Sequence, residues 1–186
     1  VRRLKAYGVP KPSITYTGFP LPDRLLGGPS LGALRTNLAA RLARLDPAHD
    51  FRSNYRDELR HFLGELPEHP DAPPHLVFAV GGAGAQAGLA RRFLPSLAGP
   101  LRARRLRLTL VAGVRREVAA VFDEAIRAAR LEELRGHGLE VLLAPSHDEY
   151  LRRFEAMLDD ADILWSKPSE LTFYAALGLP IVFSPP

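Results

Sequence analysis

The chain contains no cysteine, which removes disulfides, thiolate nucleophiles and cysteine-based zinc sites. It has no apolar run long enough to cross a bilayer; the longest, His75–Val80 and Leu106–Val114, are strand-sized. No signal peptide is visible. These absences together lead to the expectation of a cytoplasmic protein. Aromatic residues are sparse at 8%, and none interleaves with the arginines of Leu101–Arg107. Single-strand binders need such interleaving, so nucleic acid is not an expected partner. The arginine run reads either as a phosphate- or membrane-facing patch or as a solvated helix end before a strand. The six histidines (His49, His61, His69, His75, His137, His147) show no metal-ligand spacing, and no metal is expected. No Ser-His-Asp or paired-carboxylate constellation can be argued from spacing. The single tryptophan, Trp165, ends an apolar strand and is most simply core.

What is present is an ordinary globular composition: 186 residues, 46% hydrophobic, 25% charged, formal net charge +4 carried by arginine. That length supports one substantial core and not two full-sized domains. Residues 1–70 read as an interdomain segment with a short strand and two helices. The strand is expected at Ser13–Thr17, the helices at Leu31–Leu45 and Tyr55–Leu66, the first with Leu34, Leu38, Leu42 and Leu45 on one face. The proline-rich stretch Pro67–Pro74 then marks a boundary. Residues 71–186 alternate strand and helix. Strands are expected at Leu76–Val80, Leu106–Ala112, Glu140–Leu143, Asp162–Trp165 and Ile181–Ser184, and helices at Ala85–Leu97, Arg115–Arg130, Asp148–Leu158 and Ser169–Leu177. Near-continuous apolar strands joined by helices predict an α/β, doubly wound, parallel Rossmann-like sheet.

Three stretches carry candidate chemistry. Gly81-Gly82-Ala83-Gly84-Ala85-Gln86 follows the first strand, where glycines let backbone approach a diphosphate at a helix N-terminus. It reads alternatively as a tight turn packed on the sheet. The stretch matches G-x-G-x-x-A, but the second strand ends at Ala112-Gly113-Val114-Arg115-Arg116 with no acid for a ribose, which disfavours NAD. The two arginines leave NADP as a rival. The second stretch, Ser166-Lys167-Pro168-Ser169-Glu170, leaves the fourth strand; its lysine suits phosphate and its carboxylate ribose hydroxyls, or it is a plain helix cap. The third, Leu143-Ala144-Pro145-Ser146-His147-Asp148, offers backbone groups to a base, or Ser146 or Asp148 simply caps the next helix.

Together these stretches resemble the C-terminal domain of GT-B glycosyltransferases, the group that includes undecaprenyl-muropeptide N-acetylglucosaminyltransferases and galactolipid synthases. Tyr7-Gly8-Val9-Pro10 and Ile14-Thr15-Tyr16-Thr17-Gly18-Phe19-Pro20 are similar to the family's interdomain stretch. Val80–Gln86 resembles its phosphate loop, and Asp162–Glu170 with Ala175-Ala176-Leu177-Gly178-Leu179-Pro180-Ile181 resembles its nucleotide-binding helix and the entry to the next strand. The resemblance implies a UDP-sugar donor, with diphosphate on Gly81, Gly82, Ala83 and Gly84 and the nucleoside near Leu143, Ala144, Ser166, Lys167, Ser169 and Glu170. One departure stands out: the family's ribose-binding glutamate aligns with Phe173, and Glu170 lies one helical turn earlier. A hydroxyl acceptor would be held by an N-terminal domain not contained in these residues. The chain would then be a donor-binding half truncated at its C-terminus, inactive alone and without an assignable catalytic base. Peripheral membrane contact is an open expectation of the resemblance. The rivals are a UDP-sugar epimerase of the same fold, an NADP-dependent oxidoreductase domain and a non-enzymatic sugar- or nucleotide-sensing module.

Overall fold

The computed structural model describes residues 2–15, 20–68, 70, 72–80, 84, 86–167 and 171–183. The N-terminal part holds helices α1 (Arg2–Ala6), α2 (Asp23–Leu26), α3 (Gly32–Leu45), α4 (Asp50–Asn54) and α5 (Arg56–Leu63). The remainder alternates β1 (His75–Ala79), α6 (Ala90–Arg102), β2 (Arg107–Gly113), α7 (Arg116–Ala128), β3 (Leu139–Leu143), α8 (His147–Asp160), β4 (Ile163–Trp165), α9 (Leu171–Ala176) and β5 (Ile181–Val182). The five strands form one sheet, all neighbours parallel, in the order β3-β2-β1-β4-β5. The protein is therefore α/β with a Rossmann-like doubly wound architecture, as the strand–helix alternation predicts. Among the described residues no helix is long and apolar enough to cross a membrane.

The sheet is buried on both faces, which is why its strands carry unbroken apolar runs. On one face Phe78, Leu108, Leu110 and Leu139 meet Leu94 of α6 and Phe122 and Ile126 of α7. Phe93 and Trp165 close this layer around Phe78, with ring centroids 4.7 Å apart from each other and 5.0 and 5.3 Å from the Phe78 ring. Such tilted and edge-on arrangements are the favoured ones for aromatic quadrupoles. On the other face Val77, Ala79, Val111 and Leu164 meet Phe154 and Leu158 of α8 and Tyr174 of α9.

Three elements depart from expectation. Ser13 lies in a 3-10 turn over Lys11–Ser13, its amide donating to the Pro10 carbonyl, rather than in a strand. Pro10 and Pro12 bring no amide to a ladder; Tyr16 and Thr17 lie outside the described residues. The second N-terminal helix is two, α4 and α5, and it stops at Gly64, where φ is +79°. In the other direction, α6 runs through Pro100 to Arg102 instead of ending at Leu97. Leu101 is 2% exposed, and its burial outweighs the amide hydrogen bond that Pro100 cannot make.

Helix α3 docks on the α8/α9 side of the sheet. Its leucines Leu34, Leu38, Leu42 and Leu45 are only half-buried; the deeply buried positions are Ala39, Arg41, Ala43 and Arg44. Arg41 donates from Nε to the Ala161 carbonyl (2.8 Å) and from Nη1 to the carbonyls of Leu177 (2.9 Å) and Gly178 (3.4 Å). Arg44 Nε meets both Asp162 carboxylate oxygens at 2.9 Å, and Nη2 adds a third contact at 2.9 Å. The same carboxylate accepts the His75 amide at 2.7 Å. Burial draws the Arg41 guanidinium down to about 10, against the pull of Asp162, with Arg44 adding to the decrease. Burial also pushes the Asp162 carboxyl up, opposed by the His75 amide and the Arg44 charge.

A buried ion is costly once its partner is removed. Asp162→Ala removes the buried carboxylate that Arg44 and the His75 amide share and is expected to lower stability by about 3–5 kcal/mol in urea unfolding. Replacing the pair together, Arg44→Met with Asp162→Leu, is expected to restore much of that loss. An undiminished loss in the double variant would show that the ion pair is not its source.

Candidate functional site

In this strand order the chain leaves β1 toward β2 on one side and later returns to place β4 on the other. A parallel sheet opens a crevice where the order reverses, outside the carboxyl ends of the strands. Here that point lies between β1 and β4, and two of the sequence-derived stretches border it. The glycine-rich turn follows β1, and Ser166-Lys167 follows β4.

Gly84 has φ +66°, a backbone state that side chains rarely adopt. A Cβ at this position would stand 2.8 Å from Val118 Cγ2 and 3.6 Å from Arg115 Nη1. The turn is thus pressed against the start of α7, where Arg115 leads into the helix. The Arg115 side chain is 41% exposed, and its ion pair to Glu117 is long at 3.9 Å, so among the described residues the guanidinium is only weakly engaged. The sequence alone offers Arg115 only to an NADP phosphate. The signal for its position was available, since it is the second residue beyond β2 and β2 adjoins β1.

On the other side of the crevice, Ser166 is buried and its amide donates to the Val182 carbonyl at 3.2 Å, which fixes the exit from β4. Lys167 is half-buried. Leu143 is half-buried and Ala144 buried, its amide donating to the Gly113 carbonyl at 2.8 Å. These two sit at the carboxyl end of β3, two strands from β1 and so about 10 Å along the sheet edge. Ser146 accepts the Glu149 amide at 3.2 Å and caps α8, which is the capping alternative for that loop. Gly81, Gly82, Ala83, Ser169 and Glu170 lie outside the described residues. Among the described residues, no group of three or more His, Asp or Glu is placed to hold a metal ion.

A second polar cluster, not foreseen from the sequence, lies at the opposite, amino-terminal edge of the sheet. His75 Nε2 is 2.8 Å from Thr109 Oγ1, and Nδ1 is 3.3 Å from Asp160 Oδ2 at an angle outside hydrogen-bond geometry. Arg107 spans both Asp160 oxygens, at 2.5 and 3.0 Å. Partial burial raises the Asp160 carboxyl, but His75 and Arg107 outweigh it and hold the group well below the usual carboxylate range. A cleft of about 270 Å³ near this edge and one of about 360 Å³ beside α4 and α5 both lie away from the switch point.

The class is thus a Rossmann-like α/β domain with a polar, glycine-containing junction at its switch point. No family model, no curated protein and no solved structure matches the chain.

Two outcomes follow from this geometry. Gly84→Ala should lose about 1–3 kcal/mol in thermal unfolding, from left-handed backbone strain and the displaced Val118 methyl; an unchanged midpoint would remove the close approach. Because the folded Asp160 carboxyl is depressed, its contribution is present above about pH 4 and is lost as pH falls through the folded value. Asp160→Asn should therefore make stability fall less steeply with acidification below about pH 4, measured by urea midpoints across pH. The effect is muted because Asp160 is 46% exposed.

Proposed function

We propose that this chain is the donor-binding half of a glycosyltransferase that moves a sugar from a UDP-sugar to a hydroxyl acceptor. The observation that carries the reading is the pairing of two motifs across one crevice. The glycine turn at Gly84 and the Ser166-Lys167 junction flank β1 and β4 at the reversal of strand order. A diphosphate at the turn would meet backbone N–H groups and the dipole of the following helix. Arg115 beside Gly84 and Lys167 beyond β4 supply cations from both sides, which suits a leaving group whose negative charge grows as the sugar departs. The ribose and base would extend toward Ser169, Glu170, Leu143 and Ala144. The acceptor and the catalytic base belong to the acceptor half in this reading, and none of the residues described here is assigned to proton abstraction.

One observation favours a second reading. Arg115 lies at the tip of β2, where a dinucleotide fold reads the ribose 2′ position, so an NADP-binding domain is the direct competitor. An epimerase of the same fold shares the UDP-sugar donor site and differs only in the chemistry that follows.

Calorimetric titration with UDP, GDP, ADP and NADPH separates the first two. The expected result is preferential binding of UDP, weakened about tenfold by Lys167→Ala and by Arg115→Ala, the loss of one charge-assisted contact each. Preferential NADPH binding, or UDP binding indifferent to both substitutions, would refute the donor site as drawn.

A further inference from the structure

Helices α4 and α5 enclose a cleft of about 360 Å³ together with the chain that follows Gly64. Its titratable lining is His49, Arg52, Arg56, Arg60, Glu65 and Glu68. The start of α4 is set by Asp46, whose two carboxylate oxygens accept the amides of Phe51 (3.1 Å) and Arg52 (2.9 Å). Arg52 is then fixed at its far end, donating from Nη2 to the Pro67 carbonyl at 2.8 Å. Its Nε is buried and has no acceptor among the described residues. Buried donors are ordinarily paired, so Arg52 retains an unmet hydrogen bond beside the cleft.

The charges in the cleft are unequally committed. Arg60 is satisfied by Glu65, at 2.9 Å from Nε and 2.6 Å from Nη2. Arg56 makes no ion pair or hydrogen bond among the described residues, and Glu68 is exposed to water. Two guanidinium groups, Arg52 and Arg56, are thus left facing one small concavity, with His49 beside them. Guanidinium forks match the oxygens of phosphate and carboxylate. Glu68 offsets part of this positive charge, and a phosphoryl monoester, at about −1.5 to −2 at neutral pH, brings three acceptor oxygens that two guanidinium groups can share. The volume is at the low end for ligand pockets, enough for a phosphorylated small molecule and cramped for a whole nucleotide.

We propose that the cleft between α4 and α5 binds the dianionic phosphoryl group of a small molecule, with Arg52 and Arg56 as its cationic ligands. The site is separate from the strand-tip crevice and does not depend on the donor reading.

The test is a titration of the 186-residue chain with inorganic phosphate and glycerol phosphate, followed by the Nε–H resonances of its arginines in ¹⁵N-correlated NMR. The Arg52 and Arg56 signals are expected to move with saturation. Arg56→Gln should weaken binding about tenfold, and since this side chain is exposed and makes no ion pair among the described residues, the variant keeps its fold. Arg52→Gln should do the same, with the far-ultraviolet circular dichroism unchanged. Lys167→Ala, at the other site, should leave the cleft resonances and their affinity as they were. The proposal fails if phosphate does not bind, if binding survives both arginine substitutions, or if Lys167→Ala abolishes it. It also fails if vesicles of phosphatidylcholine with phosphatidic acid bind the chain while the soluble phosphates do not, which would assign the cleft to a lipid headgroup.

Discussion

The Asp162 carboxylate is shared by two distant parts of the chain, and the arrangement of the whole molecule depends on it. It accepts the first amide of β1 through His75 and grips Arg44 of α3 with both oxygens. Arg41, one helical turn earlier, spends its donors on carbonyls that end α8 and α9. Helix α3 is therefore positioned by hydrogen-bond geometry more than by its leucine face. An apolar contact tolerates sliding, whereas a bidentate guanidinium defines a register. Through these contacts the N-terminal helices are tied to the same β4 whose other end carries Ser166 and Lys167.

The sheet was legible because its physics is local. Strands covered on both faces must be apolar throughout, and five such runs separated by helical stretches leave few topologies besides a parallel, right-handed, doubly wound one. Boundaries slipped where burial overrode local signals: Leu101 carried α6 past Pro100, and Gly64 stopped α5 short of Leu66. The arginines of α3 were illegible for a different reason. On a helix whose leucines already supply an apolar stripe, arginines read as solvent-facing, and only backbone carbonyls and a carboxylate some 120 residues away make them interior.

The candidate site was legible as motifs and only partly as residues. Topology brings Gly84 and the Ser166-Lys167 exit to the two sides of one crevice, which strand–helix alternation alone could anticipate. The placement of Arg115 beside Gly84 depends on strand adjacency, which a one-dimensional reading does not contain. In the third loop, Ser146 illustrates the opposite case: a polar residue after a strand tip is fully engaged as a cap. The network of His75, Thr109, Asp160 and Arg107 has no spacing signature, because its members come from three elements that meet only in the folded sheet.

The separation of Arg44 from Asp162 also bears on how the protein comes into being. They lie 118 residues apart, so a ribosome adding about 5–20 residues per second releases the acid roughly 6–24 s after the base. Throughout that interval α3 has neither its counter-ion nor the carbonyls that hold Arg41. The helix must wait as a solvated, partly formed segment, since helices of this length are marginal on their own in water. Docking is consequently a late, non-local event in biogenesis, begun when β4 has been made and completed only with the turn after α9.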